Sequence, residues 1–415
     1  MYRIRSSVAA RPFGSLARRI QADRAALTQS LIALSFSTAA SLFAGIALIM
    51  SNDRIEAYPG LLLMLPAASG LKGMTSGALA GRLGTAVHMG TFQRSLRSDS
   101  VVGQNVRAGL VLSLTMTTAT AVLAKVGATA FGISPTMTLT EFISISVIGG
   151  LVASAITMLV AVFITELSVA RQWDADNVTA PLITSVGDIL TVPTLIFATR
   201  LADHGYLTDA LGIGCGVVAV IVFSQSWRSQ RLILRRIVHE SVAILGIGAL
   251  LDIAAGSVVD GSSVFDIEPG LLVLLPAFLA VTGALGAMLS NRLTTKLHLG
   301  LVDPHKPSFG SLSDDLSLMY LTALPLYLGI AFASVAAAHL VDMGLPNVTE
   351  MLLIVFVAGA VTVTLGAVAA VGATFATYRL GLDPDNYGVP FVTSTVDLCG
   401  ATALVVVISA AGIVG

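Results

Sequence analysis

The chain has 415 residues, 55% of them in the set AVILMFWYC and only 11% Asp, Glu, Lys or Arg, where a typical soluble domain carries about 25% charged residues. That deficit excludes an ordinary soluble globular protein, and with a net charge of −1 nothing points to nucleic acid. The solvent for most of the chain is lipid.

In chain order, residues 1–27 form a basic tail, with Arg3, Arg5, Arg11, Arg18, Arg19 and Arg24 against one acid, Asp23. It reads as a cytoplasmic juxtamembrane segment. A membrane helix needs about 20 mostly apolar residues, and eleven stretches qualify: 28–50, 59–80, 108–130, 142–169, 178–199, 206–226, 241–259, 269–290, 316–340, 351–377 and 388–413. The first is too long for a signal-peptide core and has no clear cleavage site after it. The expected fold is an all-α polytopic membrane protein. Cys215 and Cys399 each stand alone in an apolar stretch, without metal-ligand or redox spacing, and read as packed thiols.

Basic residues set the orientation, because Lys and Arg accumulate on the cytoplasmic side. With the N-terminus inside, the tail and the inside loops hold 19 of the 23 Lys and Arg residues. The outside loops keep Arg54 and Arg200, and Lys72 and Lys125 lie within spans. The expectation is a multi-pass protein of the plasma membrane with its N-terminus cytoplasmic and its C-terminus outside.

The two halves resemble each other. PGLLLMLPAASGLKGMTSGALAGRLGTAVHMG (59–90) aligns without gaps on PGLLVLLPAFLAVTGALGAMLSNRLTTKLHLG (269–300), and DADNVTAPLITSVGD (174–188) aligns on DPDNYGVPFVTSTVD (383–397). Two separate motifs at nearly one offset indicate a duplication. Each copy holds five spans, which alone would invert the second copy. Span six has no counterpart and returns the chain to the inside, so the repeats are read as parallel about a pseudo-twofold along the membrane normal. The domains are then the tail 1–27, repeat one 28–200, a linker helix 201–227 and repeat two 228–415. The chain reads as a fused dimer with a linker helix, a pseudo-dimer that can work as a monomer.

An ionisable residue inside a membrane span is costly and marks function. Asp188 and Asp397 are such residues, at matching positions in the last span of each copy. A twofold brings them to one axis, where two carboxylates in low dielectric stay ionised only with a cation between them. Hard oxygen ligands favour magnesium, calcium or manganese. The plainer alternative is a carboxylate bonded to a neighbouring hydroxyl such as Thr184 or Ser185. Pro181, Pro193 and Pro390 free backbone carbonyls near these aspartates. At the inside mouth, Asp174, Asp176, Asp383 and Asp385 either gather cations or, with Asn177 and Asn386, cap helices.

The second span of each copy is rich in small residues, Gly70, Gly73, Gly77 and Gly81 in one and Gly283, Gly286 and Ala287 in the other. These permit close helix packing or leave backbone facing a pore. Arg82/Arg292 and His88/His298, at the inside end of that span, are expected on lipid headgroups or helix carbonyls. Lys72 is replaced by Thr282 at the matching position of the second copy, and is expected to snorkel or to pair with a carboxylate. Glu166, near the inside end of span four, and Asp252, near the outside, are single-copy acids.

These motifs resemble a known family. Pro-x6-Pro, Gly-Leu-Lys-Gly and Arg-Leu-x-Thr (59–85), followed by Asp-x-Asp-Asn, Pro, Thr-Ser and Asp in both copies, resemble the membrane domain of MgtE-type magnesium transporters. The tandem copy resembles that family's duplicated branch, the magnesium solute carriers of animals and their prokaryotic relatives. The resemblance covers nearly all of the chain beyond residue 27. It implies a five-helix unit that forms a cation pore with its twin, hydrated magnesium held by Asp188 and Asp397, and a path lined by the second and fifth helices. Gly73, Gly283, Thr184, Ser185, Thr393 and Ser394 are then pore-lining candidates, and Asp174, Asp176, Asp383 and Asp385 accessory metal residues. Met74 and Ala284 stand where the family usually has Asn. Only a short tail precedes span one, so gating by the cytosolic sensing domains of the bacterial channels is not expected.

The leading expectation is a divalent-cation channel or transporter, with magnesium as the carried ion, no cofactor and no enzymatic role. A proton- or sodium-coupled carrier of another solute is the alternative, although few aromatic or Arg groups in the spans suit one. An intramembrane aspartyl protease fits less well: Ser185 replaces the first glycine of Gly-x-Gly-Asp, and the two aspartates have near-identical contexts, whereas an acid–base dyad needs unequal ones.

Overall fold

A computed structural model describes residues 24–412 apart from 89, 94, 98, 171–174, 204, 306–308, 341–346 and 383. Of the described residues 87% are helical, and none of them lies in a strand. Eleven long helices appear there in the expected order: α1 (Arg24–Ile49), α3 (Leu61–His88), α4 (Val101–Ala130), α5 (Leu139–Ala170), α6 (Ala175–Ala202), α7 (Tyr206–Trp227), α8 (Leu232–Asp260), α10 (Leu274–His298), α11 (Phe309–Leu340), α12 (Val348–Arg379) and α13 (Pro384–Ala410). Short α2 (Asn52–Ala57), short α9 (Val264–Ile267) and a 3-10 turn (Pro269–Val273) precede the second long helix of each copy.

Ten of the helical segments are long and apolar enough to cross a membrane. At about 1.5 Å per residue, 20 residues already match a hydrocarbon core of about 30 Å. The eleventh, α3, is 28 residues long but is diluted by Lys72, Thr75, Ser76, Arg82 and five glycines. Both α3 and α10 run some eight residues past the apolar stretch and stop in the same way. Gly90 and Gly300 adopt φ of 69° and 68°, a left-handed conformation that glycine takes without a Cβ penalty. Thr91 N–H then bonds Ala86 O at 2.9 Å, as Leu301 N–H bonds Lys296 O at 2.9 Å. These are matching Schellman ends, and the repeat is visible in the backbone.

Packing crosses between the copies. Helix α1 packs on α6 of its own copy and also on α10 and α11; α8 packs on α13 of its own copy and also on α3 and α4. Within each copy α3 meets α6 and α10 meets α13. Two glycines set the crossings. A methyl group on Gly45 would lie 2.9 Å from Val273 Cα, and one on Gly256 would lie 2.8 Å from Leu63 Cα, so each helix rests directly on backbone of the other copy. The linker helix α7 packs on α4 and α5 and leaves Ile213, Val217 and Val220 exposed, a lipid-facing stripe.

At the end of the bundle where α3 begins, Arg54 on α2 holds Asp203 in a two-pronged contact of 2.6 and 2.9 Å, and the Tyr58 hydroxyl donates to the same carboxylate at 2.6 Å. Asp203 raises the Arg54 pKa by hydrogen bonding, while burial and then Asp203 raise that of Tyr58.

Candidate metal centre

Asp188 sits on the face of α6 that packs on α1. Its partner comes from that neighbour: the Ser41 hydroxyl donates to Asp188 Oδ2 at 3.3 Å, and Ser37, one turn earlier, stands near the same carboxylate. The plainer alternative was a hydroxyl of its own helix; the hydroxyls seen at this carboxylate come from α1. Ser185 is fully buried, and the side chain of Thr184 lies outside the described residues.

Asp397 occupies the equivalent place on α13, against α10. A methyl on Gly283 would lie 3.7 Å from Asp397 Oδ1, so the small residue gives the carboxylate its room. The Thr393 hydroxyl donates to Pro390 O at 3.0 Å, while the Ser394 hydroxyl is buried and has no hydrogen-bond partner among the described residues. Asp188 and Asp397 are enclosed by protein, yet both keep part of their surface accessible. They lie within Coulombic range of each other. Nothing stands within 4 Å of a methyl placed on Gly73, so the second helix of the first copy has open space at that position.

A third acid joins them. Asp252 on α8 is 0% exposed and within Coulombic range of Asp397. Its carboxylate lies over Gly70, where a methyl would stand 3.1 Å from Asp252 Cγ. The sequence placed Asp252 near the outside and without a partner. The signal that finds it is register: at the offset of 210 seen in the second span it aligns on Leu42, but Gly45 and Gly256 occupy equivalent crossings 211 apart. One residue of slip puts Asp252 opposite Ser41.

Other expectations are corrected. Lys72 neither snorkels nor pairs: it is 2% exposed and makes no ion pair among the described residues, because α3 is enclosed by α4, α6 and α8. Arg82 and Arg292 reach side chains rather than lipid or helix carbonyls. Arg82 Nε donates to Asn105 Oδ1 at 2.8 Å and Arg292 Nε to Asp315 Oδ1 at 2.8 Å, with Asn105 and Asp315 again 210 apart. Lys296 adds a second contact to Asp315 at 2.5 Å. The ring of His298 packs edge-on against Tyr378.

Asp174 and Asp383 lie outside the described residues. Helices α6 and α13 open at Ala175 and Pro384, which places Asp176 and Asp385 in their first turns; those side chains are also outside the described residues. Among the described residues no three of His, Cys, Asp and Glu are grouped closely enough to hold a metal ion. What the geometry offers is two partly accessible carboxylates within Coulombic range of each other, a third within Coulombic range of Asp397, and hydroxyls beside Asp188 and Asp252.

The sequence profile of MgtE, described as a divalent cation transporter, matches residues 65–198 and 275–407. The chain belongs to the MgtE family of divalent cation transporters. The two matched segments are the two copies, and each MgtE segment ends within the helix that carries Asp188 or Asp397. Solute carrier family 41 member 2 of Homo sapiens is 24% identical over 370 residues, covering 83% of this chain. The member 2 protein of Xenopus laevis is 23% identical over 421 residues, covering 95% of this chain and 73% of its own. Member 3 of Mus musculus is 24% identical over 380 residues, covering 83% and 74%. The chain spans 63% of the length of the human relative. No solved structure matches.

Proposed function

We propose that this MgtE-family protein carries magnesium across the plasma membrane through the space between its two copies, with the ion held by Asp188 and Asp397. The observation that supports the reading is that these two acids, the duplicated pair of the last helices, keep part of their surface accessible and lie within Coulombic range of each other. A hydrated cation between them offsets that repulsion. Magnesium sheds water reluctantly and is commonly bound by one or two carboxylates with its remaining positions filled by water, which matches a pair of acids better than a closed cage. In this reading the repeats are parallel, the N-terminus is cytoplasmic, and the accessory aspartates 174, 176, 383 and 385 draw cations to the inside mouth. Gly73, Gly283, Thr184, Ser185, Thr393 and Ser394 border the path, and one chain suffices as a pseudo-dimer.

The test is flux into proteoliposomes with magnesium, calcium, manganese and sodium, each with and without a gradient. Magnesium uptake is expected for the wild type and is expected to vanish in Asp188→Asn/Asp397→Asn. Wild-type flux in the double variant overturns the reading.

A further inference from the structure

The two copies do not offer the same chemistry to the central space. Gly45 rests on Val273 and Gly256 on Leu63; Leu63 and Val273 are equivalent, so Gly45 and Gly256 are too. One turn earlier on each helix stand Ser41 and Asp252. Ser41 gives its hydroxyl to Asp188. Asp252, in the same place on α8, brings a second carboxylate within Coulombic range of Asp397, and a methyl on Gly248, one turn earlier, would stand 3.0 Å from Ser394 Oγ. The first copy has one acid and a hydroxyl; the second has two acids.

The second-copy pair lacks what buried acids require. Neither oxygen of Asp252 makes a hydrogen bond of ordinary geometry among the described residues, nor does the buried Ser394 hydroxyl, which stands beside that carboxylate without a well-formed bond to it. Asp315 provides the contrast: it is equally buried, but Arg292 and Lys296 both contact it. No Lys or Arg does the same for Asp252 among the described residues, and Lys72, two residues along α3 from the glycine that Asp252 covers, forms no pair with it. Burying an unpaired carboxylate is strongly unfavourable, and a second one beside it adds repulsion. A cation relieves both. The unpartnered Ser394 hydroxyl supplies a further hard oxygen, and water completes the shell of an ion such as magnesium.

We propose that Asp252 is a ligand of the carried cation, forming with Asp397 and Ser394 an oxygen site in the second copy that the first copy lacks. The ion then rests off the pseudo-twofold, toward α8 and α13, and the single-copy Lys72 disfavours it on the other side. This rests on the reading that Asp397 binds the cation.

The test is the magnesium-dependent rise in melting temperature of the purified full chain, titrated with magnesium chloride against sodium chloride of matched ionic strength. The proteins are the wild type, Asp252→Asn, Asp252→Ser, Asp397→Asn and Ser41→Asp. Asp252→Asn and Asp252→Ser are expected to melt higher than the wild type without magnesium, since a buried charge is gone, and to need roughly tenfold more magnesium for half the rise. Ser41→Asp, which builds the second-copy pair into the first copy, is expected to melt lower without magnesium and to respond at lower magnesium. If both Asp252 variants titrate like the wild type while Asp397→Asn does not, Asp252 is no ligand and the function stands. If both melt lower without magnesium and keep the wild-type midpoint, Asp252 is structural and the proposal fails. If Asp397→Asn also titrates like the wild type, the functional reading fails with it.

Discussion

Gly45→Ala and Gly256→Ala, made singly, test whether the two copies are held by direct helix-on-backbone crossings. An added methyl at position 45 would stand 2.9 and 3.0 Å from Val273 Cα and carbonyl carbon; at position 256 it would stand 2.8 and 2.6 Å from the same atoms of Leu63. Carbon atoms prefer a separation of about 3.5–4.0 Å, and the obstacle is backbone that has no rotamer to yield. Two terms oppose each other. Alanine is better than glycine in a helix interior by about 1 kcal/mol. Overpacking typically costs about 1–3 kcal/mol, and a main-chain obstacle takes the upper part of that range. The net expectation is a loss of about 1–2 kcal/mol for each variant, similar for the two because the sites are equivalent. Gly214→Ala and Gly246→Ala, with nothing within 4 Å of the new methyl, are the controls, expected to be neutral or up to about 1 kcal/mol more stable. The assay is thermal unfolding of the purified proteins in one detergent. Gly45→Ala and Gly256→Ala melting at or above the controls would refute the reasoning.

Two further outcomes follow from the buried charges. Asp315→Asn recreates in the second copy the Arg82–Asn105 arrangement of the first; it keeps one contact to Arg292 but strips Lys296 of its partner. Arg292 and Lys296 keep 31% and 27% of their side-chain surface exposed, so the loss is expected at about 1–2 kcal/mol rather than the roughly 3–5 of a fully buried pair, read from the same melting assay; no loss would remove Asp315 from the α10–α11 contact. Lys72→Thr installs the residue of the second copy, where Thr282 bonds Phe278 O at 2.6 Å and the Tyr327 hydroxyl at 3.0 Å. It is expected to lower the magnesium needed for half-maximal stabilisation by roughly threefold to tenfold, the effect of removing a like charge from a partly buried site; an unchanged or weaker response would show that the Lys72 charge does not reach the ion.

The order and number of the long helices were legible in the sequence because lipid imposes a length and an apolar composition on each span. Even α3, the most diluted by polar residues, was found from the mostly apolar stretch 59–80, and its motif repeats in α10. Helix ends were less legible: α3 and α10 continue past their apolar stretches until Gly90 and Gly300 stop them, and that depends on backbone conformation rather than hydropathy. Asp188 and Asp397 stood out because the same acid recurs at the same depth. Asp252 did not, because its counterpart is a serine and a one-residue slip between the first and second helices conceals the match. The partners of Arg82 and Arg292 lie 23 residues away on the next helix, and only the packing of α3 on α4 and of α10 on α11 brings them together.

The crossing of α1 and α8 between copies has a consequence for how the molecule is made. After 200 residues have emerged, the faces of α3 and α4 that will receive α8 are still uncovered, and they stay so until residue 260 has been synthesised. Neither copy is a unit that finishes folding by itself, so a chain cut in the α7 linker would have to recover by two fragments finding each other at dilution-dependent cost. Joining them in one polypeptide makes that encounter intramolecular, and α7 is the tether that sets its effective concentration.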